Sequence, residues 1–154
     1  MQIFIGADHG GFELKQALLA YLQSQQLTYQ DLGTFSEEAC DYPVIATRVA
    51  TQVQKNPQAF GILICRSGVG MCITANKFEN IRAALVQTPE SAKLAREHNH
   101  INVLCLAGKL DQSLANSIVQ SFLTTPPDQA ARHVRRLAMI HQIETEEHFS
   151  PTFL

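Results

Sequence analysis

The sequence predicts a three-layer α/β fold, in which helices cover both faces of a five-stranded parallel sheet and one further helix follows at the C-terminal end. Three observations support this prediction. Short β-rich segments alternate with helical segments along the chain, three of the strands are nearly continuous in apolar residues, and the helices carry apolar residues at four-residue spacing. We expect the common strand order 2-1-3-4-5 for such a sheet.

The predicted strands are short runs rich in apolar and β-branched residues. Strands that are buried on both faces lose the alternation of polar and apolar residues, and three of these runs show that loss. Their bounds are residues 2–7, 28–32, 60–65, 81–86 and 102–107.

The helices between the strands are predicted from apolar stripes, because residues four apart lie on one face of a helix. Another helix, over residues 89–98, is opened by a proline at a first-turn position. The three stripes consist of Leu14, Leu18 and Leu22, then Ile45, Val49 and Val53, then Leu114, Ile118 and Phe122.

A last helix is predicted at about residues 128–147, after a turn signal at residues 124–128. A helix that follows the final strand needs a surface to pack on. Either its own domain or a second subunit would provide one. Its apolar residues are Val134, Leu137, Ile140 and Ile143.

Composition sets limits on the function. With 154 residues, 45% hydrophobic, 17% charged and a net charge of -2, the chain is typical of one soluble globular domain, so a nucleic-acid partner is not expected. The N-terminal residues lack the features of a signal peptide, and no segment approaches the ~18 apolar residues of a membrane span. We therefore expect no membrane partner and a cytoplasmic location.

The four cysteines show neither C-x-x-C spacing nor the density of a disulfide scaffold, so we expect reduced thiols. No Cys/His spacing in the chain suggests a metal site either.

Reactive side chains follow the first and third predicted strands. Asp8 and His9 come directly after strand 1, and Cys65 and Ser67 come at the end of strand 3. Ligands of open α/β sheets bind outside the carboxyl ends of the strands where the strand order reverses, which is between these two strands. An acid, an imidazole, a thiol and a hydroxyl are therefore expected in one crevice.

Cys65 has two interpretations. Free cysteine is commonly an inert, buried small hydrophobe. A cysteine at a helix N-terminus, however, can have a pKa lowered from ~8.5 toward 7, and the second interpretation is that Cys65 acts as a base in this way. A phosphatase nucleophile is excluded, because the arginine expected six residues later is Met71. A nucleotide P-loop is excluded as well, because no glycine directly precedes Lys77.

The other polar groups also have structural alternatives. Asp8 at a strand end commonly caps the following helix, and residues 98–100, His-Asn-His, are compatible with a polar helix end. Arg132, His133 and Arg136 lie three or four residues apart on one helix face. They form either a phosphate clamp or a solvated charged surface.

Several segments together closely resemble the type B ribose-5-phosphate isomerase family, which includes the galactose-6-phosphate isomerase subunits. The similarity extends over almost the whole chain in the same order. The matching segments are residues 6–12 (GADHGGF) with Leu14 and Lys15, 41–43 (DYP), 65–70 (CRSGVG), 75–77 (ANK), 96–99 (REHN), 102–104 (NVL), and Arg132, His133 and Arg136.

The resemblance implies a cofactor-free isomerase on a Rossmann-like sheet, which interconverts ribose 5-phosphate and ribulose 5-phosphate through an enediolate. It implies that Cys65 is the base that moves a proton between C2 and C1. Ser67, at a position usually held by threonine, would open the furanose ring together with His98.

The resemblance further implies that Asp8 orients sugar hydroxyls and that Asn99, with the N–H groups of residues 66–70, holds the enediolate oxygens. His9, Arg132 and Arg136 would hold the phosphate. The full set of implied substrate-binding residues is Asp8, His9, Tyr42, Arg66, Ser67, Gly68, Val69, Gly70, Asn99, Lys109, Arg132 and Arg136.

Topology predicts an assembly. The fourth helix returns to the opposite edge of the sheet, so His98 and Asn99 should lie far from Cys65 of the same chain. A second subunit could supply them. We therefore expect a homodimer with sites shared between the subunits and a total buried area above ~1,200 Å², and the pairing of two dimers into a tetramer is left open.

Two positions depart from the family pattern. Arg66 stands where glycine is more common, and Lys109 stands where the family generally has an arginine. Lysine keeps the charge but loses the two-pronged hydrogen bonding of arginine. Two alternatives to a pentose phosphate isomerase therefore stay open, namely an isomerase of allose 6-phosphate or galactose 6-phosphate and a non-catalytic sugar-phosphate-binding protein.

Overall fold

A computed structural model describes residues 1–145 of the chain. Strands and helices alternate as the sequence predicts. The strands are β1 (Gln2–Ala7), β2 (Thr28–Asp31), β3 (Phe60–Cys65), β4 (Ala83–Leu85) and β5 (Val103–Ala107). The helices are α1 (Phe12–Ser24), α2 (Tyr42–Lys55), α3 (Val69–Ala75), α4 (Pro89–Asn99), α5 (Gln112–Thr124) and α6 (Ala131–Thr145).

The five strands form one parallel sheet, which confirms the predicted α/β fold class. The predicted order of the last two strands is wrong, because the sheet runs β2-β1-β3-β5-β4. β5 is apolar throughout and its first four residues are buried, so it belongs inside the sheet. β4 has only three paired residues, all partly exposed, and it follows the charged Arg82, as suits an edge strand.

Two apolar layers hold the sheet between the helices. Because successive strand residues point to opposite faces, Ile3 and Ile5 of β1 pack with α1 and α5, whereas Phe4 packs with α2. The predicted stripes lie where expected, since Leu18, Val49 and Ile118 are fully buried. Burial in these layers holds the strands in register, and the ends of the strands then determine where each loop at the carboxyl edge begins.

Helix α6 lies outside these layers and packs on α4. The chain enters it through a hydrogen bond of 3.0 Å from the N–H of Asp128 to the carbonyl oxygen of Glu97. Val134 and Ile143 are 44% and 56% exposed, so much of the apolar surface of α6 has no cover within residues 1–145. Packing of this helix on a partner subunit stays a prediction. The predicted end of the helix, residues 146–147, lies outside the described residues.

None of the helices formed by residues 1–145 combines the length and the apolar character that crossing a membrane requires.

Candidate active site

The loops that follow β1, β3 and β5 interlock at the carboxyl edge of the sheet. A Cβ atom on Gly11 would lie 2.7 Å from the carbonyl oxygen of Ile64, and one on Gly108 would overlap the carbonyl oxygen of Gly10. Only glycine allows such an approach of one backbone to another. The three loops are therefore held together by backbone contact, whatever their exposed side chains do.

Asp8 follows β1 and is 6% exposed. Its Oδ1 atom accepts a hydrogen bond of 3.1 Å from the N–H of Gly11 and caps the short 3-10 turn at residues 9–11. The capping role considered for this residue is thus confirmed. The N–H of Asp8 bonds to the carbonyl oxygen of Ile64 at 3.1 Å, which continues the β1–β3 ladder and sets Asp8 opposite Cys65.

Cys65 ends β3 with only 4% of its surface exposed. Its Sγ atom accepts a hydrogen bond of 3.1 Å from the N–H of Gly68. The side chain also packs in the apolar layer beside Leu63 and Met71. Cys65 is therefore a packed core residue whose sulfur meets a polar N–H group, and its role as a base stays a prediction.

The segment after Cys65 turns into α3 at Gly68, which adopts a φ of 78°. Ser67 is exposed, and its Oγ accepts a hydrogen bond of 3.3 Å from the N–H of Val69. The first helical bond runs from the N–H of Cys72 to the carbonyl oxygen of Gly68 at 3.1 Å. The N–H groups of Gly70 and residue 71 lie before that bond, where a helix provides them with no acceptor.

Tyr42 and His9 lie around this segment. A Cβ atom on Gly70 would lie 2.6 Å from the ring of Tyr42, so the ring packs directly on the start of α3. His9 is exposed, and its Nδ1 accepts a hydrogen bond of 3.3 Å from the N–H of Cys40. A neutral imidazole that accepts at Nδ1 carries its proton at Nε2, which makes Nε2 the donor.

Arg66 and Lys109, the two departures from the family pattern, lie at the same edge. Arg66 is exposed, and its Cβ is 3.1 Å from where a Cβ on Gly10 would be. Lys109 is exposed after β5 and lines a polar cavity of about 350 Å³ that also contacts Glu13 of α1. His9, Arg66 and Lys109 thus bring three nitrogen donors to the loops that follow three neighbouring strands.

His98 and Asn99 lie at the opposite, amino edge of the sheet. They end α4, which runs back to the start of β5, and Val103 of that strand pairs with Gly61. Cys65 lies four residues beyond Gly61, which corresponds to about 13 Å along a strand. The structure does not bring His98 or Asn99 to Cys65 within one chain.

The positive groups of α6 lie beside His98. The imidazole of His133 stacks on that of His98, with the ring centres 4.4 Å apart and the planes at 6°. His133 is 4% exposed, whereas Arg132 and Arg136 are exposed on the same helix. Burial lowers the pKa of His133, and the positive charge of Arg132 lowers it further, although Asp128, 3.6 Å away, opposes this.

An apolar cavity of about 400 Å³ also lies at the amino edge, between α4, α6 and β4. Its lining includes Ile81, Asn99, Ile140 and Ile143. Among the residues that the structure describes, the one carboxylate in its lining, Glu144, accepts a hydrogen bond of 3.1 Å from the N–H of Asn80, and no thiol lines it. The carboxyl edge, where Asp8 and Cys65 lie side by side, is therefore the better candidate for the reaction.

Three residues were given no role by the sequence analysis, namely Lys15, Cys72 and Cys105. Lys15 is fully buried, and its ammonium group contacts the carboxylate of Asp31. The position of Lys15 next to the apolar stripe of α1 was the feature of the sequence that could have indicated a buried charge. Hydrogen bonding with Cys105 lowers the pKa of the Cys72 thiol to about 7, and the same contact raises the pKa of Cys105 well above its ordinary value. Nothing in the spacing of the cysteines shows that these two thiols meet.

Within residues 1–145 no three or more His, Cys, Asp or Glu side chains cluster in a way that could hold a metal ion.

Residues 3–140 match the model of the family described as ribose/galactose isomerase. The chain is 38% identical to ribose-5-phosphate isomerase B of Mycolicibacterium paratuberculosis, over 98% of this chain and 96% of that protein. Its identity to ribose-5-phosphate isomerase B of Escherichia coli K12 is 41%, over 93% and 96%. A solved structure of ribose-5-phosphate isomerase B from Mycoplasma genitalium with bound ribulose-5-phosphate superimposes with a TM-score of 0.89 at 41% identity, over 94% and 97% of the two chains.

Proposed function

This chain belongs to the ribose/galactose isomerase family, and on that premise we propose that it interconverts D-ribose 5-phosphate and D-ribulose 5-phosphate. The observation that carries the proposal is the pair formed by Asp8 and Cys65. Asp8 follows β1 and Cys65 ends the neighbouring strand β3, and each accepts a hydrogen bond from the N–H of the residue three positions further on. A carboxylate and a thiol are thereby fixed side by side at the edge where α/β sheets bind ligands.

In the proposed reaction, the thiolate of Cys65 takes the proton from C2 of the open-chain aldose. The electrons of that C–H bond form the C1–C2 double bond, and the carbonyl oxygen at C1 takes the negative charge. The proton then returns to C1 while another proton moves from O2 to O1. Only protons change place, so the reaction includes no step for a metal or a redox cofactor.

The negative charge that develops on the enediolate needs donors that are already in position. In the proposal they are supplied by N–H groups of residues 66–70, together with the amide of Asn99. Within that segment the N–H groups of Gly68 and Val69 already donate to Cys65 and Ser67, so the others carry this role. Gly70 precedes the first helical bond of α3, which leaves its N–H group free to donate. A preorganised donor of this kind contributes about 3–4 kcal/mol to stabilising the transition state.

The proposed sites are shared between the two subunits of a homodimer. Ser67 and His98 open the furanose ring in this proposal, yet about 13 Å of strand separates their two edges of the sheet within one chain. A two-fold partner supplies His98 and Asn99 to the crevice that contains Cys65. The exposed apolar residues of α6, such as Ile143, suit contact with that partner.

The phosphate is held by His9 and, from the partner, by Arg132 and Arg136. Both arginines are exposed on one face of α6, so their guanidinium groups are available for paired hydrogen bonds. Asp8 orients the sugar hydroxyls, and the ring of Tyr42 forms one wall of the site. Lys109 adds a positive charge at the same edge.

A hexose phosphate is the alternative substrate. Arg66 and Lys109 both change the loops around the crevice relative to the family pattern, and these are the positions at which a longer sugar would be accepted or rejected. Turnover of ribose 5-phosphate is therefore to be compared with that of allose 6-phosphate and galactose 6-phosphate under the same conditions.

The deciding experiment is an isomerase assay of the wild-type protein, Cys65→Ala and Cys72→Ala. Loss of the base should lower kcat by about 10²–10⁴-fold while substrate still binds. Cys72→Ala is the matched control, because the pKa of its thiol is about 7 although it is not placed in the site. Full activity of Cys65→Ala, or loss only in Cys72→Ala, would refute the assignment of the base. Binding without turnover by the wild-type protein would indicate a non-catalytic sugar-phosphate-binding protein instead.

A further inference from the structure

Lys15 has a fully satisfied ammonium group in the interior of the protein. The residue is 0% exposed, and its Nζ atom lies 2.6 and 2.7 Å from the two carboxylate oxygens of Asp31. It also donates to the carbonyl oxygen of Thr34 at 2.5 Å. These three contacts use the three N–H donors of a lysine. The ring of Phe35 lies over the same ammonium group, with its centre 5.2 Å from Nζ.

These contacts fix the start of the β2–α2 loop, residues 32–41. The N–H of Gly33 donates to Oδ1 of Asp31 at 2.9 Å. On the other side, Ala7 bonds to both residues of the loop start, because its N–H donates to Gly33 at 2.7 Å and its carbonyl oxygen accepts from Thr34 at 2.6 Å. The loop therefore begins beside Ala7, the residue directly before Asp8.

The far end of the β2–α2 loop reaches the candidate active site. The N–H of Cys40 donates to Nδ1 of His9 at 3.3 Å, and Tyr42, just after the loop, packs on Gly70. This donation requires Nδ1 of His9 to be unprotonated, so that a neutral ring carries its proton at Nε2. Lys15 thus holds one end of the loop, and the other end selects the tautomer of His9.

Stability alone does not account for a buried lysine–aspartate pair. Apolar side chains of similar volume commonly replace such pairs with no loss of stability, because both charges lose their hydration on burial. What apolar residues cannot supply is a hydrogen bond to the carbonyl oxygen of Thr34. The pair is therefore suited to setting the position of the loop.

We propose that Lys15 is a positioning residue, which sets the β2–α2 loop so that the N–H of Cys40 holds His9 with its Nε2–H directed at the substrate phosphate. This inference rests on the proposed function for the role of His9. The contacts of Lys15 at one end of the loop and of His9 at the other do not depend on that function.

The test uses the double variant Lys15→Met/Asp31→Asn. It removes both charges together, so that no uncompensated charge is left inside, and the asparagine oxygen still accepts from Gly33. KM for ribose 5-phosphate should rise about tenfold while kcat stays within about threefold, since ground-state phosphate binding is weakened. Lys93→Met, which removes an exposed lysine paired with Glu97 on α4, is the matched control and should change neither constant.

A second readout does not depend on activity. NMR of the ¹⁵N-labelled His9 ring should show only the Nε2–H tautomer in the wild-type protein and a mixture in the double variant. A wild-type ring protonated at Nδ1 would overturn the proposal even if the variant failed to fold. The proposal would also be overturned if the folded double variant kept the wild-type KM and a single His9 tautomer. If the wild-type protein does not turn over the sugar phosphate, the proposed function fails, and the NMR measurement alone then decides the role of Lys15.

Discussion

The two edges of the sheet are built in different ways. At the carboxyl edge, Asp8 and Cys65 are held by backbone N–H groups, and the loops around them interlock at glycines. At the amino edge, the rings of His98 on α4 and His133 on α6 stack on each other, and α6 packs outside the two apolar layers. The backbone path sets the geometry of the first region, whereas contacts between side chains of two helices set that of the second. Each edge therefore presents half of the chemistry in the proposal, and a substitution should affect each edge differently.

Mixing two inactive variants tests whether the edges of different subunits cooperate. Cys65→Ala alters only the carboxyl edge and His98→Ala only the amino edge, so each variant alone should be nearly inactive. Refolded together in equal amounts, they should regain about a quarter of wild-type activity, because half of the dimers are mixed and each of these has one intact site of two. The measurement is isomerase activity after subunit exchange.

The matched control combines Cys65→Ala with Ser67→Ala, which alter the same edge. Every site of those mixed dimers contains one of the two changes, so activity should not return. Two outcomes would contradict sites shared between subunits. One is a return of isomerase activity in the control mixture, and the other is no return of activity in the first mixture although mixed dimers form.

Stability should distinguish the two edges as well. Gly108→Ala places a methyl group against the backbone of Gly10, so we expect the free energy of unfolding to fall by about 1–3 kcal/mol. Arg136→Ala changes an exposed side chain of the amino edge and should alter that free energy by less than about 0.5 kcal/mol. Urea denaturation of both variants measures the difference. Equal losses in the two variants would show that the edges do not differ in this way.

The smallest expected effect concerns pH. Burial lowers the pKa of His133 from its ordinary 6.5, so the unfolded chain binds this proton more readily than the folded protein. The folded protein is therefore at its most stable, as far as His133 is concerned, at a pH above 6.5, and this contribution to the free energy of unfolding is lost as the pH falls below that value. His133→Phe keeps a ring against His98 but removes the titration, so urea denaturation between pH of about 7 and 5 should show a flatter decline in stability.

His141→Phe is the control for this measurement, because His141 lies on the same helix with 54% of its side chain exposed. This variant should show the same decline in stability with falling pH as the wild-type protein. An identical pH dependence for the wild-type protein and His133→Phe would exclude His133 as its source.

Local patterns in the sequence predict much of this structure. The apolar stripe of Leu14, Leu18 and Leu22 and the continuous run of β3 state directly which surfaces are buried. The positions of β4 and β5 in the sheet do not follow from the alternation of strands and helices along the chain. They depend on which of the two strands can be partly exposed at the edge of the sheet. The charged Arg82, second in the predicted fourth strand, suits an edge position and was not used for that purpose.

The candidate site divides in the same way. The sequence could place Asp8 next to Cys65, because one follows β1, the other ends β3, and the carboxyl ends of neighbouring parallel strands meet. The contacts from Lys15 to Thr34, and from Cys40 to His9, could not be found, because both run from a regular element to the path of an irregular loop. Hydrogen bonds to loop backbone leave no periodic trace in a sequence.

The ladder between β1 and β3 has a consequence for how this enzyme family can diversify. Ala7 pairs with Ile64, so the two residues that follow are spaced by the sheet, at about 4.8 Å between strand axes, and not by the loops beyond them. Loop residues such as Arg66 can therefore be exchanged while Asp8 and Cys65 keep their separation. In the proposed mechanism, substrate range and reaction chemistry are then encoded in separate parts of the chain, and one can drift without the other.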